Sequence, residues 1–165
     1  KFKNGDKFKG LVTYGYNRTK IEKLAASPAI LNQLGISSKL VERREIGQLT
    51  DTNPRHKLIL AGDYTVRSMN LDLHATLNRI GSFWVYSNTS QALDQKFASK
   101  WTMDLSAAYS FAKGWRWTVG ADNVFNTRPD LTRVENNTGG TFQYTSYSPL
   151  SPDGAFYYTS LNYTW

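Results

Sequence analysis

Six stretches of the chain alternate apolar and polar residues with a period of two, as strands do when their side chains go to opposite faces of a sheet. The cleanest is 70–79, where Leu71, Leu73, Ala75 and Leu77 oppose Asp72, His74, Thr76 and Asn78. In 7–19, Phe8, Gly10, Val12, Tyr14 and Tyr16 oppose Lys7, Lys9, Thr13 and Asn17, with Leu11 out of phase. In 56–67, Leu58, Leu60, Gly62, Tyr64 and Val66 oppose Asp63, Thr65 and Arg67. The stretch 98–111 sets Trp101, Met103, Leu105, Ala107, Tyr109 and Phe111 against Thr102, Asp104, Ser106 and Ser110. In 115–125, Trp115, Trp117, Val119 and Ala121 oppose Arg116, Thr118 and Asp122. The last stretch, 154–165, carries Tyr157, Thr159, Leu161, Tyr163 and Trp165 on one face, with Phe156, Tyr158, Ser160, Asn162 and Thr164 on the other. None of the residues named on the apolar faces is charged, although 20% of the chain is.

Such alternation fits a soluble sandwich or a transmembrane barrel. Two features favour the barrel. Connections run long, short, long, short, long (20–55, 68–70, 80–97, 112–114 and 126–153), the rhythm of outer loops and periplasmic turns. Aromatics gather near strand ends on the uncharged face, at Tyr14, Tyr16, Trp101, Phe111, Trp115, Trp117, Tyr163 and Trp165. Membrane interfaces attract amphipathic rings, whereas a compact core would hold them mid-strand. Lys3-Asn4-Gly5-Asp6 has the chemistry of a tight turn. Within 20–55, Ser27 to Gly35 predicts a short helix with Ser27 as N-cap, Pro28 first and Gly35 as the stop. A weaker helical pattern covers 40–49, and Asn53-Pro54 marks the return.

Composition narrows the function. No run in the 165 residues approaches the ~18 apolar residues of a transmembrane helix, and a barrel dilutes its hydropathy. There is no cysteine, which excludes disulfides and thiolate chemistry. The net charge of +7 is spread along the chain, with small groups at Lys1–Lys9 and Arg43-Arg44 and no nucleic-acid motif. No catalytic constellation is present, so neither enzyme activity nor a cofactor is expected. His56 and His74 have no partners at metal-ligand spacing. Gly139-Gly140 opens no helix, as a phosphate cradle would. His74 shares the polar face with Asp63, Arg67, Asp72, Asp104, Arg116 and Asp122, the composition of a structural hydrogen-bond and ion-pair network. Candidate ligand contacts lie in the long loops: Arg43, Arg44, Arg55 and Arg133 for an anionic chelate, Tyr144 and Tyr147 as stacking faces.

Gly120-Ala121-Asp122-Asn123-Val124-Phe125-Asn126, followed by Arg128-Pro129-Asp130, resembles the penultimate-strand pattern of TonB-dependent outer-membrane receptors, with Val124 where Leu is commoner. Residues 154–165 are similar to that family's last strand, which usually ends in Phe or Trp. Leu34-Gly35-Ile36, then Asn53-Pro54-Arg55-His56-Lys57, resembles a recurring outer loop and re-entry. The resemblance implies an all-β fold: the last six strands of a 22-stranded antiparallel barrel in a Gram-negative outer membrane. The plug domain, the TonB-binding segment and sixteen strands would lie outside residues 1–165. It further implies import of a ferric siderophore, cobalamin or an oligosaccharide with TonB-supplied energy. The partners would be outer-membrane lipid, the rest of the barrel, the plug, the TonB complex and the nutrient. Tyr163 and Trp165 would belong to the signal read by the barrel-assembly machinery. The alternative is a small outer-membrane or soluble β-barrel with a ligand-binding or adhesive role, for which six strands fall short of the eight that close the smallest membrane barrels.

Overall fold

The computed structural model describes residues 2, 4–36, 41–137 and 140–165; Lys1, Lys3 and Gly139, named above, and the first position of the weaker helical pattern 40–49 lie outside them. In chain order the strands are β1 (Lys7–Tyr16), β2 (His56–Val66), β3 (Leu71–Ile80), β4 (Phe83–Val85), β5 (Gln95–Phe97), β6 (Lys100–Ala112), β7 (Trp115–Asp122) and β8 (Phe156–Tyr163). Six of them form one antiparallel sheet in the order β1-β2-β3-β6-β7-β8, and β4 and β5 make a separate hairpin. Because neighbours in the sheet are neighbours in sequence, the three long connections emerge at one end and the two short turns at the other. The sheet is open, with β1 and β8 at its edges.

The register carries the uncharged, mostly apolar set of all six strands onto one face, while Leu11, Ile59 and Phe156 fall on the other. A mid-sheet row reads Phe8, Tyr64, Leu73, Ala107, Val119 and Thr159; the next reads Gly10, Gly62, Ala75, Leu105, Ala121 and Tyr157. The opposite face holds the polar set. There Asp63 pairs with His74 (2.7 Å), which also meets Thr76 (2.9 Å). Arg116 pairs with Asp72 at 2.8 Å, and Thr65 donates to the same carboxylate. Asn78 and the Asn123 N–H occupy the two oxygens of Asp104.

Neither face is covered by a second layer. A compact 18.7 kDa chain would expose about 8,300 Å²; this one exposes 11711 Å². Among the described residues the buried hydrophobics are Phe83, Phe97 and Ala108. Phe83 and Phe97 stack at 4.9 Å inside the hairpin, not between sheets. A soluble sandwich would bury the face of Leu73, Leu105 and Val119, yet these remain 38–39% exposed.

Several boundaries depart from the alternation pattern. β1 ends at Tyr16 rather than 19, its last cross-strand bond running from Asn17 N–H to the Arg55 carbonyl. β7 ends at Asp122 rather than 125 because Asn123 turns to φ +53° and its amide brackets Thr127. β8 covers Phe156–Tyr163, inside the expected 154–165. A bulge between Tyr109 and Ala112 inserts a residue into β6, and the Phe111 ring stays near Trp115, 6.3 Å away. β3 extends to Ile80, which brings Arg79 into register opposite Leu58 and places a charge on the face expected to have none. Pro28, not Ser27, occupies the N-cap of helix α1 (Ala29–Gln33), where its missing N–H costs nothing; Gly35 at φ +66° supplies the stop. The segment 80–97 is not plain loop, since it contains the β4–β5 hairpin.

At the turn end, Gly114 takes φ +79° in the two-residue link from β6 to β7, a conformation that suits a residue without Cβ. Asp6, buried before β1, accepts from the Arg67 N–H (2.9 Å) and the Tyr64 hydroxyl (3.0 Å), tying the first turn to the β2–β3 turn. Those bonds, the Arg67 N–H foremost, hold its carboxyl below the usual range.

Candidate functional site

The long connections fold together above the sheet. Helix α2 (Arg43–Thr50) packs on β4, and Gly47 is the residue that permits it. A side chain at Gly47 would collide with the Tyr86 ring, which lies directly against the helix backbone. Tyr86 is gripped from two further sides: Arg43 sits over its ring at 5.4 Å, and its hydroxyl donates to Asp51 at 2.9 Å. Burial and the Asp51 carboxylate together raise the Tyr86 pKa.

Three aspartates clamp the loops. Asp94 receives both terminal nitrogens of Arg43 (3.2 and 2.7 Å) and the Ser87 N–H (3.0 Å), which joins α2 to the hairpin. The Arg43 bond is the main reason its carboxyl is lowered. At Asp51, burial opposes ionisation, but bonds from Thr50, Tyr86 and Arg55 outweigh it and lower its pKa. At Asp130, burial is likewise outweighed, here by Lys100 (2.5 Å) and the Ala98 N–H (2.6 Å). A bidentate, charge-assisted contact such as Arg43–Asp94 fixes orientation as well as proximity.

Between α2, the hairpin and the loop 126–153 lies an open cavity of about 680 Å³. Its walls combine the rings of Tyr86, Phe97, Phe142, Tyr144 and Tyr147 with the amides of Gln95, Asn136 and Gln143 and the hydroxyls of Ser146 and Ser148. Two wall atoms stand out: Arg44 Nε and Thr132 Oγ1 are inaccessible to solvent and have no hydrogen-bond partner among the described residues. An unsatisfied buried polar group costs about 1–3 kcal/mol. Because both atoms are closed off from solvent, a ligand's acceptor oxygens reach them, and recover that cost, only where the surrounding loops part.

The six loop residues singled out by sequence divide into two sets. Arg44, Tyr144 and Tyr147 line the cavity, and the Tyr147 hydroxyl accepts from Gln48 at 2.6 Å. Arg43, Arg55 and Arg133 instead hold the loops: Arg55 pairs with Asp51 (2.6 Å), and Arg133 donates to the Ala92 carbonyl and the Gln95 side chain. Tyr86, Phe97, Thr132 and Phe142 were not singled out, because in irregular loops no spacing distinguishes them. At the far end of the sheet, the Tyr163 ring lies tilted against Trp115 with centroids 4.7 Å apart, and Trp165 is 99% exposed. Among the described residues no group of His, Cys, Asp and Glu could hold a metal ion, and no helix is long and apolar enough to cross a membrane.

No protein-family model and no curated protein sequence matches the chain. Its structure is similar to that of the ferric enterobactin receptor of Pseudomonas aeruginosa, solved as a single-substitution variant, with a TM-score of 0.52 and 21% identity over 76% of this chain. The likeness is one of fold. It covers 18% of the receptor's length, so the chain corresponds to a small part of that protein.

Proposed function

We propose that residues 1–165 form the C-terminal six strands of the barrel of a TonB-dependent outer-membrane receptor, with the plug and the other strands supplied by the rest of the protein. The strand segments are those expected from the alternation, 7–19, 56–67, 70–79, 98–111, 115–125 and 154–165, trimmed to the observed ladders; 20–55, 80–97 and 126–153 are the outer loops. One observation carries this reading: a single-layer antiparallel sheet with an uncovered apolar face and all its long loops at one end. Lipid covers such a face in a barrel, and the unpaired edges of β1 and β8 are closed by further strands. The fold of the enterobactin receptor supports the same reading.

The transported nutrient is an anionic metal chelate of the ferric-siderophore class. It enters the loop cavity, where a parting of the loops brings Arg44 and Thr132 to it as donors and Tyr144 and Tyr147 supply ring surfaces. The test is expression of the complete protein in outer membranes, with binding and uptake of ferric enterobactin followed separately. Uptake that stops when the energy supply from TonB is removed, while binding persists, is the expected result. A folded, detergent-free monomer that sediments as a soluble species would instead favour the small-barrel alternative.

A further inference from the structure

Helix α2 carries Arg44 to the cavity wall, yet little in its own sequence makes these eight residues helical. Isolated helices shorter than about 12–15 residues are marginal in water. Gly47, which the Tyr86 ring requires, weakens this one further. The N-cap is Glu42, and its side chain makes no cap hydrogen bond. Good caps are Ser, Thr, Asp or Asn, whose short side chains fold back onto the first N–H groups of the helix. Glu42 contributes only its carbonyl, which accepts from the Ile46 N–H at 3.2 Å.

The cap comes instead from the link between β4 and β5. Asn88 Oδ1 accepts the Arg44 N–H at 2.9 Å. Asn88 Nδ2 donates to the Glu42 carboxylate. An ionised carboxylate accepts only, so it draws the amide nitrogen to itself and leaves the amide oxygen facing the helix. Asn88 is held in turn by its neighbours. Ser87 is buried, gives its N–H to Asp94 at 3.0 Å, and takes the Thr89 N–H on its Oγ at 3.2 Å. Asp94 also grips the Arg43 guanidinium. One loop therefore holds the first turn of α2 twice, Arg43 by its side chain and Arg44 by its backbone. The Arg44 side chain is left for the cavity, where its Nε has no partner among the described residues.

We propose that Asn88 is a positioning residue for the loop site, capping α2 from outside the helix and so holding Arg44 at the cavity wall. The inference rests on the anionic-chelate reading above, and Asn88 itself touches no ligand. Apparent affinity falls with the fraction of molecules in which the binding conformation is formed, so losing the cap weakens binding without removing a contact.

The complete protein, reconstituted in bilayers, is followed by titration with ferric enterobactin and by hydrogen exchange of the peptide spanning 43–50. Asn88→Ala should speed exchange and weaken binding about three- to tenfold, the reach of a lost cap. Adding Glu42→Ser should restore both, because a serine there caps its own helix and completes a capping box with Glu45. Adding Glu42→Ala, which removes the same charge and offers no cap, should leave exchange fast and binding weak. In an Arg44→Gln background, Asn88→Ala should again speed exchange but cost no further affinity, because the side chain it acts through is already gone. Exchange or binding unchanged in Asn88→Ala overturns the proposal. So does rescue by alanine as well as serine, or a loss of affinity that adds to that of Arg44→Gln. In each of these cases ferric enterobactin still binds the unaltered protein, and the siderophore reading stands. An unaltered protein that does not bind it refutes that reading and this inference with it.

Discussion

Arginine at Leu105 and, separately, at Ser106 puts the same charge on opposite faces of one strand. Leu105 sits in a row of Gly62, Ala75 and Ala121, with no carboxylate alongside. Ten residue steps along β6 separate Trp101 from Phe111, about 34 Å at ~3.4 Å each. At a tilt of about 35–45° this becomes roughly 24–28 Å of height, close to the ~25 Å apolar band of a membrane barrel. Leu105, four steps from Trp101, is then about 10–11 Å below the upper rim, near the midplane. A lipid-facing arginine there costs about 2–4 kcal/mol, or roughly 30- to 700-fold in the folding constant. Ser106 lies in the row of Asp63 and His74, where a new cation meets water and a carboxylate. Its replacement should stay within about 0.5 kcal/mol. Reversible denaturant unfolding in lipid vesicles measures both. Equal losses, or a larger one at Ser106, would refute the assignment of faces.

Thr132→Val should stabilise the loops by about 1 kcal/mol, because it removes an unsatisfied buried hydroxyl, yet weaken binding of the proposed chelate, with ferric enterobactin as the probe, about three- to tenfold; calorimetry and ligand titration read the two effects apart. Arg44→Gln should cost at least about tenfold in that affinity. Asp94, Asp51 and Asp130 have lowered folded-state values, so their clamping is complete above the unfolded pKa of about 3.9 and is lost as pH falls through the lowered values. Hydrogen exchange should therefore quicken in α2 and the β4–β5 hairpin below about pH 4 while the β2–β3 ladder keeps its protection. Trp165→Ser should reduce the amount of the complete protein assembled in the membrane and leave the proposed ligand affinity unchanged, as quantified by surface labelling and binding on the same cells.

The sheet was legible because its alternation is long and broken only locally, at Leu11, Arg79 and the β6 bulge. Leu71, Leu73, Ala75 and Leu77 can take only one phase, and Gly114 marks its turn. The β4–β5 hairpin was not legible: three-residue strands are too short to show a period, and what holds Phe83 on Phe97 is contact across a loop. Arg43 and Arg44 were indistinguishable as adjacent arginines, although successive helix positions point about 100° apart. One therefore clamps Asp94 and the other turns to the cavity. Thr132 gave no signal at all, since its importance comes from the partner it lacks rather than from any neighbour in sequence.

The central claim is that one face of this sheet meets lipid. Residues 1–165 contain no cysteine, and single cysteines introduced in turn at positions 101–109 of β6, with any cysteine elsewhere replaced by serine, can each carry a spin label in the complete protein reconstituted in bilayers. The account predicts high accessibility to membrane-dissolved oxygen at 101, 103, 105, 107 and 109, and higher accessibility to a water-soluble nickel chelate at the even positions between them. Uniform accessibility along the strand, or the opposite phase, would contradict it.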